Sequence, residues 1–297
     1  MSQFVQMHQA SLNMEQESSN GRVLPNVDLF FLQLSLLLVL LGIFAISSAS
    51  WYESVHYTGS AWTFLIKHIV AVVLGLGAMY FTSFINYRWW KKYAWHMAFI
   101  SILLLLFTAK FGIISGGSRR WISLGFFQLQ VSEFVKIISV FLVAKVFVER
   151  RRKSLLAAFG LVSLMGILVL KQPDLGTTIL IMSSIPLVAF AAGFNLLLFF
   201  GIVSGARYLV WQQILRTPYQ MERIKFWLDP YLEPLGRGYN IIQSQYAIGS
   251  GGLWGLGIGA SQQKLGYLPV AHADFIFSIM AEEIGFLGLL AILFLFL

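Results

Sequence analysis

Two adjacent arginines, Arg119 and Arg120, have the most specific chemical use of any residues in this sequence. A guanidinium group presents planar pairs of N–H donors, which match the oxygens of phosphate and diphosphate groups. The two arginines lie in the stretch GGSRRWISLG, between two apolar segments. They therefore predict a site that binds a diphosphate.

Three other places carry carboxylates that could do chemistry, and each also has a structural explanation. Asp174 and Asp274 stand just before apolar segments, where a carboxylate either acts on a substrate or caps a helix. Glu133 and Lys136 share a helix face, so they either pair with each other or serve a substrate. His272 lies two residues before Asp274. The residues alone leave both explanations open at each place.

Membrane-spanning helices must position these residues. The chain has 297 residues, of which 58% are apolar and 11% charged, with a mean hydropathy of +0.74 and no cysteine. A soluble domain is about 45–50% apolar and about 25% charged. This composition excludes a water-soluble domain, and the lack of cysteine excludes a disulfide-stapled module, a zinc finger and a thiol enzyme. The sequence predicts an integral membrane protein.

Eight apolar stretches are long enough, or nearly so, to cross about 30 Å of hydrocarbon as helices. They lie at 28–48, 62–84, 93–112, 133–149, 155–171, 175–193, 194–214 and 275–297. The first 27 residues, rich in Ser, Gln and Asn, predict a disordered cytoplasmic tail. The expected fold is an all-α polytopic membrane protein, with a transmembrane domain over 28–297.

The distribution of Lys and Arg orients these helices, because cytoplasmic loops carry the excess of both residues. Positive residues cluster at 88–92 and 150–153, after the second and fourth stretches. The amino terminus is then cytoplasmic, and the net charge of +8 reflects topology rather than a nucleic-acid partner. Residues 215–274 form a large extracytoplasmic loop, and Arg119 and Arg120 fall on the same side.

Two features near the end of the chain need an explanation of their own. The run GSGGLWGLGIGAS at 249–261 has glycine at nearly every other position, without the Gly-Lys-Ser/Thr ending of a phosphate-binding P-loop. It predicts a close-packed re-entrant turn held against the helices. Glu282 and Glu283 lie inside the last apolar stretch, where carboxylates are costly unless they are protonated or partnered.

Six ordered segments resemble those of the SEDS family (shape, elongation, division and sporulation). The segments are GGSRRWISLG, VSEFVK, KQPDLGTTIL, DPYLEPLGRGYN, QSQYAIGSGGLWGLGIGASQQKLGYLP and HADFIFSIMAEEIGFLG. The likeness runs from about residue 28 to the end, and SRRWI and SQQKLGYLP favour the division branch of the family. The resemblance makes Asp274 the essential aspartate.

This resemblance implies a peptidoglycan glycosyltransferase of the bacterial inner membrane, which polymerises lipid II at the division septum. It also implies a class B penicillin-binding transpeptidase and other division proteins as partners, in contact with membrane lipids. A lipid II flippase or a non-catalytic scaffold of the division machinery are the alternatives. The inner halves of the predicted helices carry few charges apart from Lys145, Glu282 and Glu283, which favours the enzyme over the flippase.

Glycan polymerisation requires a sugar hydroxyl to attack the anomeric carbon of a diphosphate-linked donor. Asp274 is the candidate base or the ligand of a divalent cation, Mg²⁺ or Mn²⁺, and no organic cofactor is expected. Arg119 and Arg120, with Lys136 as the weaker candidate, would stabilise the charge that develops on the diphosphate. The residues expected to support the site are Glu133, Asp174 and His272.

The sequence departs from the family pattern near these residues. Val131 replaces a helix-starting proline, Val270 replaces a glutamate, and Ala273 replaces a threonine. Gly266 stands where the division branch is often acidic. Family members have ten spans, so a chain that stops at Leu297 is expected to be a fragment or a truncated protein.

Overall fold

The computed structural model describes residues 28–115, 118–123, 125, 128–149, 151–193 and 196–297, and the tail predicted at 1–27 lies outside them. The described helices are α1 Leu29–Thr58, α2 Thr63–Ser83, α3 Tyr87–Phe111, α4 Val131–Glu149, α5 Arg152–Leu170, α6 Leu175–Ala191, α7 Leu196–Arg216, α8 Pro218–Leu228, α9 Tyr239–Gly251 and α10 Ile276–Phe296. The strands β1 Ile113–Ser115, β2 Ser118–Ser123 and β3 Gln128–Gln130 form an antiparallel sheet in that order. This small sheet interrupts a fold that was expected to be all-α.

Among the described helices, α1, α2, α3, α5 and α10 are long and apolar enough to cross a membrane. Helix α6 is also apolar but has only 17 residues. The architecture is therefore that of a helical, multi-pass membrane protein, whereas the count of eight spans stays a prediction.

Helix α1 differs most from its predicted span, because it continues to Thr58 instead of ending at residue 48. Gly59 caps this end of the helix: its φ of 72° is left-handed, and its N–H donates to the carbonyl of Val55. The apolar run stops earlier because the extension carries Glu53 and Ser54, which are buried inside the protein. The extension is therefore held by polar contacts within the protein, and hydropathy does not detect it.

The described residues form two compact units. The first contains residues 28–84 and 217–297, where a small apolar core includes Ala49, Leu268 and Ile279. The second contains residues 85–216. Its larger core comes from α3 to α6 and includes Leu105, Leu142, Val162, Met165 and Ile181.

Helix α10 is interrupted at Gly285, where φ is 71° and ψ is −178°. Backbone hydrogen bonds of 2.9, 3.0, 2.9 and 3.2 Å join residues 252–257 to residues 282–287 at this break. Inside a membrane every backbone N–H and C=O group needs a partner within the protein. The glycine-rich run supplies those partners, so its predicted close packing against a helix is present.

The contact between this run and α10 leaves no room for a side chain at Gly255. A Cβ atom there would lie 2.2 Å from the carbonyl oxygen of Glu283, and the φ of Gly255 is 81°. A Cβ atom at Gly285 would lie 2.3 Å from the backbone nitrogen of Gly255. Both backbones can approach each other because neither residue carries a side chain.

We expect Gly255→Ala to lower the free energy of unfolding by about 1–3 kcal/mol, because the added methyl group overlaps a backbone oxygen. Gly249→Ala is the matched control, since Gly249 lies in α9 and a Cβ atom there meets nothing within 4 Å. SDS-induced unfolding in mixed micelles, followed by tryptophan fluorescence, measures both variants. Equal stabilities of the two variants would contradict the close approach.

Candidate active site

Arg119 and Arg120 lie side by side on β2, but their guanidinium groups have different partners. Adjacent residues of a strand point to opposite faces of the sheet. Arg119 is exposed and donates a hydrogen bond of 2.7 Å to the carbonyl oxygen of Lys110 at the end of α3. Arg120 is half-buried and turns towards the connection between α5 and α6. Arg119 is therefore the more accessible of the two to a ligand.

Arg120 is held by the turn that precedes α6. Its Nε donates to the carbonyl of Gln172 at 2.9 Å, and a terminal nitrogen donates to the carbonyl of Pro173 at 2.5 Å. A terminal nitrogen also lies 3.8 Å from a carboxylate oxygen of Asp174. Asp174 itself caps α6, because it accepts bonds of 3.0 and 2.9 Å from the backbone N–H and hydroxyl of Thr177. Asp174 therefore acts as a helix cap, which is one of the two roles that the sequence allows.

Glu133 and Lys136 form an ion pair of 2.9 Å near the start of α4. The Glu133 side chain is 54% exposed and that of Lys136 is 28% exposed, so solvent screens this pair. The ion pair predicted from the spacing is present. The Lys136 ammonium group is nevertheless still partly accessible to a ligand.

Asp274 is exposed and stands two residues before the first residue of α10. The N-cap position belongs to Phe275, which makes no side-chain cap. Within the described ranges, no hydrogen bond or ion pair holds the Asp274 carboxylate. Asp274 therefore does not cap α10, and its exposed carboxylate is available to a bound molecule.

The turn before Asp274 is held by Glu53, a residue of α1 that the sequence analysis missed. One Glu53 oxygen accepts the backbone N–H of Ala271 at 3.1 Å, and the other lies 2.6 Å from Nδ1 of His272. The second contact lacks hydrogen-bond alignment, so it is an electrostatic contact when the imidazole is protonated. The His272 ring also stacks on Phe64, with centroids 4.8 Å apart. The signal for Glu53 was a lone acid just beyond an apolar run.

The two carboxylates inside α10 are both partnered. Glu283 lies 2.6 Å from the ammonium group of Lys264, and both side chains are almost fully buried. Ser48 of α1 bonds to both members of this pair, at 2.6 and 2.9 Å. Glu282 accepts a 2.5 Å bond from the Ser261 hydroxyl and further bonds from the next two backbone N–H groups. These contacts attach the loop before Asp274 to both α1 and α10.

Another residue missed by the sequence analysis is Arg207, in the middle of α7. Its side chain borders a groove of about 830 Å³ between α6 and α7, which is lined mainly by apolar residues such as Ile179 and Met182. A cation next to an apolar groove suits a molecule with an anionic group and a hydrocarbon chain. The signal was an arginine inside an apolar stretch, where charge is rare and costly.

The described residues do not assemble a metal site by themselves. In the part of the chain that the structure covers, no three His, Asp or Glu side chains come together to hold a metal ion. His272, the imidazole nearest to Asp274 in sequence, is already engaged by Glu53.

Comparison with known proteins places these residues in a family context. The family model for FtsW, RodA and SpoVE, described as "Cell cycle protein", matches residues 28–297. The probable peptidoglycan glycosyltransferase FtsW of Aliivibrio salmonicida is 38% identical over 263 residues, which are 86% of this chain and 66% of that protein. Stage V sporulation protein E of Bacillus subtilis is 34% identical over 280 residues, which are 91% of this chain and 76% of that protein.

Solved structures share the fold. One comes from work titled "Structural coordination of polymerization and crosslinking by a peptidoglycan synthase complex". It superimposes on this chain with a TM-score of 0.71 at 28% sequence identity. The match covers 92% of this chain and 75% of the other chain. The rod shape determining protein RodA of Thermus thermophilus, at 24% identity and a TM-score of 0.63, shows the fold alone. The chain spans about two thirds to three quarters of the length of these proteins.

We expect Lys264→Ala to lower the free energy of unfolding by about 3–5 kcal/mol, because it leaves the buried Glu283 carboxylate without its cation. The double variant Lys264→Met, Glu283→Gln removes both charges and should recover most of that loss. The midpoint of thermal unfolding in detergent compares the variants. If Lys264→Ala unfolds at the same temperature as the wild type, the pair does not hold the loop.

Proposed function

This chain belongs to the family of cell cycle proteins that includes FtsW, RodA and SpoVE, and we propose that it is a peptidoglycan glycosyltransferase. In this proposal it polymerises lipid II into glycan strands during septal wall synthesis. Identity of 34–38% to relatives named as probable peptidoglycan glycosyltransferases, over most of the chain, carries the proposal. Asp274 follows a turn that Glu53 binds, and its exposed carboxylate provides the chemical group that the reaction needs.

Asp274 acts as the general base in this mechanism. Its carboxylate takes the proton of the acceptor sugar hydroxyl while that oxygen forms a bond to the anomeric carbon of the donor. The bond between the anomeric carbon and the diphosphate oxygen breaks, and its electron pair leaves with the diphosphate. The products are a glycan that is longer by one unit, a lipid diphosphate and a protonated Asp274.

The leaving diphosphate needs cations, and Arg119 is a candidate because its side chain is exposed. Arg120, in contrast, is occupied by the turn at 172–174 and acts by fixing that turn. Lys136 is a second candidate, since its ammonium group is only partly covered by Glu133. Arg207 and its groove suit the lipid-linked part of the substrate. These assignments rest on exposure and charge.

The same function implies a location and partners for this chain. The protein lies in the bacterial inner membrane at the division septum, with its amino terminus in the cytoplasm. The loop at 215–274 is on the outer side, and its glycine-rich run re-enters beside α10. The excess of Lys and Arg at 88–92 and 150–153 supports this orientation. The similarity to a structure from a peptidoglycan synthase complex supports a class B penicillin-binding transpeptidase as partner, together with other division proteins.

We expect Asp274→Asn to lower lipid II polymerisation by at least about a hundredfold while lipid II binding remains, because an amide cannot take the proton. Asp28→Asn is the matched control, since Asp28 caps α1 through bonds to two backbone N–H groups that Asn also accepts. Polymer length on gels and lipid II binding are measured together. Unchanged polymerisation by Asp274→Asn would remove this residue from the chemistry.

We expect the two arginines to separate when each is replaced by Lys. Arg119→Lys should lower kcat about tenfold, because one charge-assisted hydrogen bond to the diphosphate is lost. It should lower the free energy of unfolding by less than about 1 kcal/mol, because its bond to the Lys110 carbonyl is single and exposed. Arg120→Lys should instead lower the free energy of unfolding by about 1–2 kcal/mol, because it loses its fork of bonds to the turn at 172–174. Turnover and thermal unfolding are compared for both variants. The opposite pattern would exchange the two roles.

A further inference from the structure

We propose that Glu53 is a positioning residue for Asp274, an inference that rests on the proposed function. Glu53 belongs to α1 and lies 218 residues before Ala271 in the sequence, yet its carboxylate contacts both Ala271 and His272. Only 11% of its side chain is exposed. A buried carboxylate that uses both oxygens on one turn fixes the backbone path of that turn.

The turn needs such a contact because its backbone is strained. Val270, the residue before Ala271, has a φ of 55°. This left-handed region disfavours a β-branched residue, and such a conformation persists only where the surroundings impose it. The bond from the Ala271 N–H to Glu53 fixes the peptide group that joins Val270 to Ala271. Glu53 is therefore placed to impose the conformation.

The carboxylate that faces His272 comes from another element, α1, and not from the nearby Asp274. Glu53 lies next to Nδ1 of the imidazole ring, and the ring of Phe64 stacks on the imidazole at an interplanar angle of 13°. The ring is thus held by α1 and α2 together. Its position fixes the chain two residues before Asp274.

Asp274 depends on this support because nothing among the described residues holds its own carboxylate. Its place is set by the backbone between the clamped turn and the start of α10 at Ile276. A general base has to lie within hydrogen-bond distance of the proton that it takes. A displacement of about 1 Å can lower a rate by about a hundredfold. Glu53 would thus act on the reaction through Asp274 without touching the substrate.

A single cysteine can test the clamp independently of activity, because the chain has no native cysteine. A spin label at Ala273→Cys, an exposed position beside Asp274, reports the mobility of the turn by its resonance line shape. We expect Glu53→Ala to make this label more mobile. In the unlabelled protein it should lower kcat about ten- to a hundredfold with little change in the KM for lipid II.

Three further variants make the test specific. Glu53→Gln keeps an acceptor for the Ala271 N–H and should retain an immobile label and most of the activity. Val270→Gly relieves the strain, so adding it to Glu53→Ala should restore part of kcat. Glu149→Ala removes the partner of Lys145 in the second unit and should change neither readout.

The outcomes separate this inference from the function on which it rests. An immobile label in folded Glu53→Ala would overturn the clamp, and a mobile label with unchanged kcat would overturn its effect on Asp274. A loss of kcat that only follows the folded fraction would also overturn it. If Glu53→Ala does not fold, the label is placed in Val270→Gly with and without Glu53→Ala, because neither variant carries a strained residue at 270. Equal label mobility in these two variants would overturn the clamp. If the wild type makes no polymer, the proposed function fails, while label mobility still decides whether Glu53 holds the turn.

Discussion

A helix in the hydrocarbon of a membrane cannot leave a backbone N–H or C=O group without a partner, and α10 is interrupted at Gly285. The structure meets this constraint by bringing residues 252–257 against the break, where the two segments exchange backbone hydrogen bonds. The close approach requires glycine at the contact. The glycine-rich run, the turn that follows it and the start of α10 therefore depend on one another.

The same break explains why charges are tolerated nearby. Glu282 and Glu283 lie just before Gly285, and each binds a different part of the loop that returns from the glycine-rich run. Glu283 is neutralised by Lys264 and accepts a hydrogen bond from Ser48. Glu282 accepts hydrogen bonds from the Ser261 hydroxyl and from two backbone N–H groups. The first unit is thus held largely by polar contacts around a small apolar core. The second unit has a larger apolar core, and Arg119 and Arg120 lie on a strand of its small sheet.

Much of the helical framework could be predicted from the sequence, because apolar runs must be about as long as the membrane is thick. The end of α1 could not, since its last turns are polar and are stabilised by the loop rather than by lipid. Strands of three residues, such as β1 and β3, are too short to give a periodic signal. The Glu133–Lys136 pair follows from helical spacing, whereas no spacing rule joins Lys264 to Glu283 or Glu53 to His272. Asp274 could be identified from its family motif. Only the structure shows that its carboxylate does not cap α10.

The exchange of backbone bonds at Gly285 also sets an order of assembly during synthesis. Residues 252–257 leave the ribosome before residues 282–287. The backbone groups that bond to α10 therefore lack these partners until α10 has been made. They are the N–H groups of Leu256 and Gly257 and the carbonyls of Gly252 and Leu253. Helix α10 in turn cannot settle in lipid as a complete span until the earlier segment docks. Insertion of this helix and docking of the loop are therefore one coupled event. The loop at 261–264, which binds Glu282 and Glu283, therefore reaches its final contacts only after α10 has been translated.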